Sequence, residues 1–424
     1  KKMAQLLINK GANVNFKSQN GSTPLHWAVG TNSVELTQAI INKGVDVNIK
    51  DNSGQTPLHY AKSKEVAQVL IDKGADINAK TSVEWTPLYN AVFSNSKELV
   101  QLLIDKGADV KVKDNKGSTP LQFAKSKEIA QLLIDKGADV KVKDNKGSTP
   151  LYFAKSKEIA QLLIDKGADV NPKNIAGQSP LHSASSKEVA QLLIDKGADV
   201  KVKDNQGLTP LHFAKSKEVA QVLIDKGADV NAKNNQGYTP LCFAQTKEIA
   251  ELLINKGASI DVNAKTDDGN TLLHCANTKE IAQLLIDKGA DINAKANDGW
   301  TPLHNAANNN RKEVAQLLID KGVNINAKAT DGSTPLHMAV QSKSKEVAQL
   351  LIDKGADINV KDQKGSIPID YAKTKELTQL LTSKKANSEE SVDVKAEDGE
   401  GRTRLFYAVR DNVPKRVKFL IDNG

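Results

Sequence analysis

Residues 105–134 read DKGADVKVKDNKGSTPLQFAKSKEIAQLLI, and residues 135–164 repeat them with one change, Tyr152 standing at the position of Gln122. So close a 30-residue period constrains the fold more than any other feature. A segment this short cannot bury its own apolar face, so copies must stack and share a core with their neighbours alone. The length of 424 residues would suggest about three compact domains, but that prior does not apply to stacked units. The residue before each Pro-Leu marks the register: Thr23, Thr56, Thr86, Thr119, Thr149, Ser179, Thr209, Thr239, Thr271, Thr301, Thr334, Ile367 and Thr403. Most steps are 30 or 33 residues, with 32 before Thr271 and 36 before Thr403.

One unit, 51–80, shows the logic. Asp51-Asn52-Ser53-Gly54 is a turn sequence with glycine where a positive φ is needed. Thr56 caps a first helix and Pro57 suits its first position, leaving Leu58 and Ala61 on one face. The chain breaks at Lys62-Ser63. Ser63 caps a second helix, Glu65 favours its positive end, and Val66, Val69 and Leu70 form its buried stripe. Gly74 ends it with a left-handed residue, and Asp76–Lys80 runs out as an extended finger. Special backbone residues obey the same register. Of 27 glycines, 25 fall at the turn or the cap, and eleven of 13 prolines follow the marker residue.

The stretches DNSGQTPLHYA (51–61) and VAQVLIDKGADIN (66–78) resemble the ankyrin repeat, and the likeness recurs along nearly the whole chain. It implies an all-α, elongated solenoid of about fourteen helix-turn-helix units with projecting β-hairpin-like fingers, spanning on the order of 130 Å at ~8–10 Å per helix layer. It also implies partner binding on the concave side made by fingers and first helices. We expect one continuous array over 1–385, with a partial first unit at 1–22, an overlong polar finger at 386–402 and a divergent terminal unit at 403–424. The finger should be the weakest junction. The chain reads as a piece of a longer protein. Eight of the twelve steps depart from the family's usual 33 residues, which predicts a clipped first helix or inter-helix turn in the 30-residue units. Glu84, in place of the turn glycine, calls that turn's geometry into question. The lysine-rich, near-identical units are similar to ankyrin proteins of host-associated intracellular bacteria, which implies a secreted, host-directed role.

Composition and motifs narrow the chemistry. The 59 basic and 51 acidic residues give a net charge of +8, spread over a mixed surface. Two cysteines, Cys242 and Cys275, make no disulfide framework and suit a reducing compartment, cytoplasmic or nuclear. No apolar run approaches the ~20 residues that span a bilayer. All seven histidines occupy the TPLH slot, where a ring ties neighbouring repeats together through backbone hydrogen bonds, so none is left as a general base or ligand cluster. Cys242 and Cys275 lie in adjacent slots of consecutive first helices as small core or groove residues. No phosphate loop, dinucleotide fingerprint or metal motif occurs. We therefore expect no enzyme, no catalytic residue, no cofactor and no metal.

Three functions remain: protein recognition, a spacer between flanking domains, and binding of nucleic acid or another polyanion along the basic fingers (Lys111, Lys113, Lys116; Lys141, Lys143, Lys146; Lys201, Lys203). Asp114, Asp144 and Asp204 interrupt that ridge, so nucleic acid is the weaker choice and a protein partner, bound by a monomer, the first. Phe123, Phe153, Phe213 and Phe243 recur regularly, as packing residues do. Departures from the pattern mark the candidate surface. The residue before the marker becomes Trp85, Leu208, Tyr238 and Trp300, expected to face solvent near the groove. Trp85, Tyr89 and Phe93 share one helical face, and Trp300 is followed by Asn308 and Asn309. These eight residues are the predicted partner-binding positions.

Overall fold

The computed structural model describes residues 2–258 and 261–385, with only Leu405, Val409 and Ile421 beyond them. The expected finger at 386–402 and terminal unit from 403 therefore lie outside the described residues. Two compact units partition the chain. One is Lys1–Pro210 with Asp225–Ala228, the other Leu211–Ile224 with Asp229–Gly424. Both are built from the same helical pair and, among the described residues, contain no strand.

Most second helices run nine residues from a lysine. Lys64–Asp72 buries Val66, Ala67 and Leu70, while Val69 is only partly covered. Ala67 thus takes the place in the buried stripe that the sequence suggested for Val69. Ser63 Oγ accepts from the Val66 amide at 3.5 Å, and Ser126, Ser156, Ser186, Thr246 and Thr278 do the same in their units.

The first helices come in two lengths. In the 33-residue units they run seven residues: Pro24–Gly30, Pro87–Phe93, Pro302–Asn308 and Pro335–Gln341. Each ends on a left-handed residue, Asn32, Asn95, Asn310 or Lys343, and the following amide reaches back to close the helix. Ser96 N–H donating to Ala91 O at 3.1 Å is one instance, and the pattern is that of a Schellman end. The other units keep a single turn, such as Pro57–Tyr60 or Pro120–Phe123, after which Ala61 and Ala124 are already extended. The missing three residues thus remove both the second turn of the helix and its left-handed stop.

The fingers are turns held by side chains. Asp51 Oδ1 accepts from Ser53 N (2.8 Å) and Gln55 N (2.9 Å), and the Asp51 amide donates to Gln55 O at 3.0 Å. Neighbouring fingers touch through single backbone bonds, such as Asn52 N–H to Asn20 O at 3.0 Å and Ser82 N–H to Ser53 O at 3.0 Å. Gly54 has φ +77°, and a Cβ there would sit 3.0 Å from the Ser82 nitrogen of the next finger. Glu84 holds the same left-handed conformation at φ +65°, its amide bonded to Thr81 O at 3.0 Å. The turn survives without glycine, and a Lys80–Glu84 ion pair of 2.7 Å flanks it.

The histidine slot is the latch between units. His59 Nδ1 receives the Thr56 amide at 3.0 Å, and Nε2 meets Trp85 O in the next unit at 3.1 Å. His26, His182, His212, His274, His304 and His337 each reach the equivalent carbonyl at 3.1–3.3 Å. Burial lowers the pKa of His26, His59, His182, His274 and His337 below the ordinary imidazole value and pulls that of His304 down to about 4. Gln122 substitutes for the ring: Oε1 accepts from Thr119 N at 2.7 Å and Nε2 donates to Ser148 O at 3.1 Å.

Candidate protein-binding surface

Trp85, Tyr89 and Phe93 do meet, and Phe123 of the next unit joins them. The Trp85 ring stacks on Tyr89 with centroids 5.5 Å apart and planes 12° from parallel. Phe93 lies 6.1 Å and Phe123 5.6 Å from Trp85. Indole Nε1 donates to Asp114 Oδ2 at 3.2 Å, which fixes the ring with one edge partly open. Phe93 is 50% exposed. Lys125 Nζ stands 4.0 Å from the Phe93 ring centroid and donates to Phe93 O at 2.5 Å, a cation–π arrangement at the rim. The helix carrying Phe93 is flanked by the clipped Pro57–Tyr60 and Pro120–Phe123. At 1.5 Å per residue its three extra residues make it ~4.5 Å longer than either.

In the other compact unit, Tyr238, Cys242, Phe243, His274, Cys275, Asn305, Asn309 and Arg311 help line an open cleft of about 400 Å³. Asn270 Nδ2 donates to Tyr238 Oη at 2.8 Å, and burial raises the pKa of the phenol. Arg311 Nη1 donates to Ala276 O at 3.0 Å and Cys275 O at 3.4 Å. Asn309 Nδ2 donates to Asn305 O at 2.9 Å. Trp300 stacks on His304 at 6.1 Å and 24° and is partly covered, as is Asn308.

A family profile described as "Ankyrin repeats (3 copies)" matches residues 1–81, 81–144, 123–204, 155–234, 188–264, 215–296 and 277–362. The chain belongs to the ankyrin-repeat family. Ankyrin repeats are in general protein–protein interaction modules. Among solved structures, the ankyrin repeat domain of Bcl-3, described as a unique member of the IkappaB protein family, is 32% identical. The match covers 49% of this chain and 100% of that one, with a TM-score of 0.40. The human ASB11 ankyrin repeat domain is 29% identical over 49% of this chain and 99% of its own, with a TM-score of 0.44. No curated protein sequence matches the chain.

Against this ankyrin framework, two of the eight predicted positions do not face solvent. Tyr89 is 0% exposed. It fills the histidine slot, and its hydroxyl donates to Val112 O at 2.9 Å and Ser118 O at 2.5 Å, doing the latch's work from the core. Burial pushes its phenol far up. Leu208 is 6% exposed. Its amide donates to Asp204 Oδ1 at 2.9 Å and its carbonyl accepts from His182 Nε2 at 3.2 Å, while its aliphatic side chain is buried, which is favourable. Trp85, Phe93, Tyr238, Trp300, Asn308 and Asn309 retain exposed surface.

Sequence reasoning passed over Phe123 and Lys125, because a regularly recurring phenylalanine reads as packing. Phe123, Phe213 and Phe243 are partly exposed and Phe153 is 39% exposed, so the slot is a surface one in this ankyrin array. The signal lay in the neighbouring unit: only one finger places a tryptophan ahead of such a phenylalanine, Trp85 before Phe123. Among the described residues no group of three or more His, Cys, Asp or Glu could hold a metal ion, and no helix is long and apolar enough to cross a membrane.

Proposed function

We propose that this ankyrin array binds a partner protein through the aromatic face of Trp85, Phe93 and Phe123, rimmed by Lys125. The observation that carries the reading is Phe93. A half-exposed phenylalanine at the end of a lengthened helix, backed by three packed aromatic rings, forgoes burial worth about 1.5–3 kcal/mol. Large aromatics on a rigid support are the residues that dominate interfaces. Tyr238 and Asn309, with Trp300 and Asn308, form a second contact surface. The likeness of the lysine-rich units to arrays of host-associated bacteria supports a host protein as the partner. Placing a photoreactive side chain at position 93 tests the assignment. Light-dependent adducts at 93 support it, and their absence there with adducts from a probe at Lys141 refutes it.

A second reading, polyanion binding, draws on the acids. Asp114 and Asp204 are buried in their turns, Asp114 accepting from Lys116 N, Ser118 N and Trp85 Nε1. The exposed Lys111, Lys113, Lys116, Lys201 and Lys203 are thus less interrupted than the sequence alone suggests.

A further inference from the structure

We propose that Cys242 and Cys275 form a reactive dithiol that closes to an inter-repeat disulfide by exchange with a low-molecular-weight disulfide such as oxidised glutathione, Cys275 being the attacking thiol. Three observations meet here. The first is proximity: the Cys275 thiol donates to Cys242 Sγ at 2.8 Å, across 33 residues of sequence and between consecutive units. Closing to the ~2.05 Å of a disulfide asks for a shift of under about an ångström. The second is access. Both cysteines are partly exposed and line the open cleft, so a small disulfide can reach them. The third is the asymmetry of their surroundings. Arg311 is pinned to the Cys275 and Ala276 carbonyls, so it holds the backbone on the Cys275 side of the pair. The adjoining sulfur and burial push the Cys242 thiol well up, which makes it the poorer first attacker of the two.

The position of Cys242 gives the pair its meaning. It occupies the histidine slot of its unit, where other units place a ring bonded to the next unit's backbone. Here the side chain meets the next unit through sulfur, so oxidation turns a weak contact into a covalent latch. In the first step the Cys275 thiolate attacks one sulfur of the small disulfide. A mixed disulfide forms, the S–S bond of the reagent breaks, and one small thiol leaves as thiolate and takes a proton. Cys242 then gives up its proton to solvent and attacks Cys275 Sγ, expelling the second small thiol. Two electrons pass from the protein to the reagent, and two protons end on the two released thiols. The chain has no third cysteine to compete as the resolving thiol.

The test is peptide mapping of the full chain after exposure to oxidised glutathione, with remaining thiols blocked before digestion. The wild type should yield a Cys242–Cys275 cross-linked peptide free of glutathione and reversible by dithiothreitol. Cys242→Ser should trap glutathione on Cys275. In Cys275→Ser, modification of Cys242 should be slower by at least ~tenfold than that of Cys275 in Cys242→Ser. Circular dichroism checks that each variant is folded. The wild-type result stands by itself: glutathione retained on both cysteines, or a disulfide between chains, overturns the proposal. Equal rates in the two serine variants overturn the assignment of Cys275 as attacker.

Discussion

His304 Nε2 lies 3.2 Å from the carbonyl oxygen of Ser333, 29 residues further on, while Nδ1 receives the Thr301 amide at 3.1 Å. One neutral ring therefore caps its own helix and fastens the next unit. Its pKa, pulled down to about 4 by burial, makes that fastening sensitive to acid. The unfolded chain takes up a proton near pH 6.5 and the folded one only near 4, so stability is full above 6.5 and falls as pH drops between the two values. The slope is about 1.4 kcal/mol per pH unit per histidine so shifted.

Gln122 shows that a side chain without a titrating group can make both bonds. His304→Gln should therefore keep the latch near neutrality and flatten the acid response of the units around it. Hydrogen exchange of the Ser333–Met338 amides at pH 7 and pH 5 measures this. Protection that falls equally in wild type and variant would contradict the latch as the source of acid sensitivity.

Thr86 and Thr149 carry buried hydroxyls with no hydrogen-bond partner, and they belong to the units whose histidine slot holds Tyr89 or Tyr152. Where the slot holds a histidine the hydroxyl pairs with the ring, as Thr301 Oγ1 does with His304 Nδ1 at 2.9 Å. Thr86→Val should cost almost nothing or stabilise, whereas Thr301→Val should cost on the order of 1 kcal/mol. Denaturant midpoints compare the two. Equal losses would mean that the Tyr89 unit satisfies Thr86 by a route the structure does not contain.

The repeating frame was legible in the sequence because it is periodic. Helix pairs, serine caps such as Ser63 and the histidine latches each recur at fixed spacing. The clipping of the 30-residue units was legible for the same reason. Burial of the irregular residues was not. Leu208 occurs once in its slot and tyrosine only twice in the histidine slot, at Tyr89 and Tyr152, and whether such a side chain turns inward depends on what the adjoining unit offers. For Tyr89 it offers two backbone carbonyls, of Val112 and Ser118, which no spacing within its own unit reveals. Tolerance of Glu84 at φ +65° was hidden similarly, since left-handed strain of about 1–2 kcal/mol is held by the surrounding finger contacts.

The lysine fingers give a salt prediction. If they bind polyanions, heparin affinity should fall steeply, by ~tenfold or more between 50 and 200 mM salt, through counterion release. If the aromatic face carries the function, heparin binding should be weak at both concentrations. Titration of the wild type and of Lys111→Ser with Lys141→Ser decides. Tight, salt-sensitive binding lost in the double variant would transfer the primary function to the fingers.

The most direct measurement is affinity capture on the immobilised chain, quantified against two surface variants of equal foldedness. Phe93→Ser with Trp85→Ser removes two of the three exposed rings but leaves Tyr89 and its two carbonyl bonds in place, while Lys141→Ser alters a finger residue outside the aromatic cluster. The account predicts a defined protein retained by wild type and Lys141→Ser whose affinity for the aromatic variant drops at least ~tenfold, the loss of one interface anchor. Undiminished affinity of that protein for the folded Phe93→Ser, Trp85→Ser variant would contradict it.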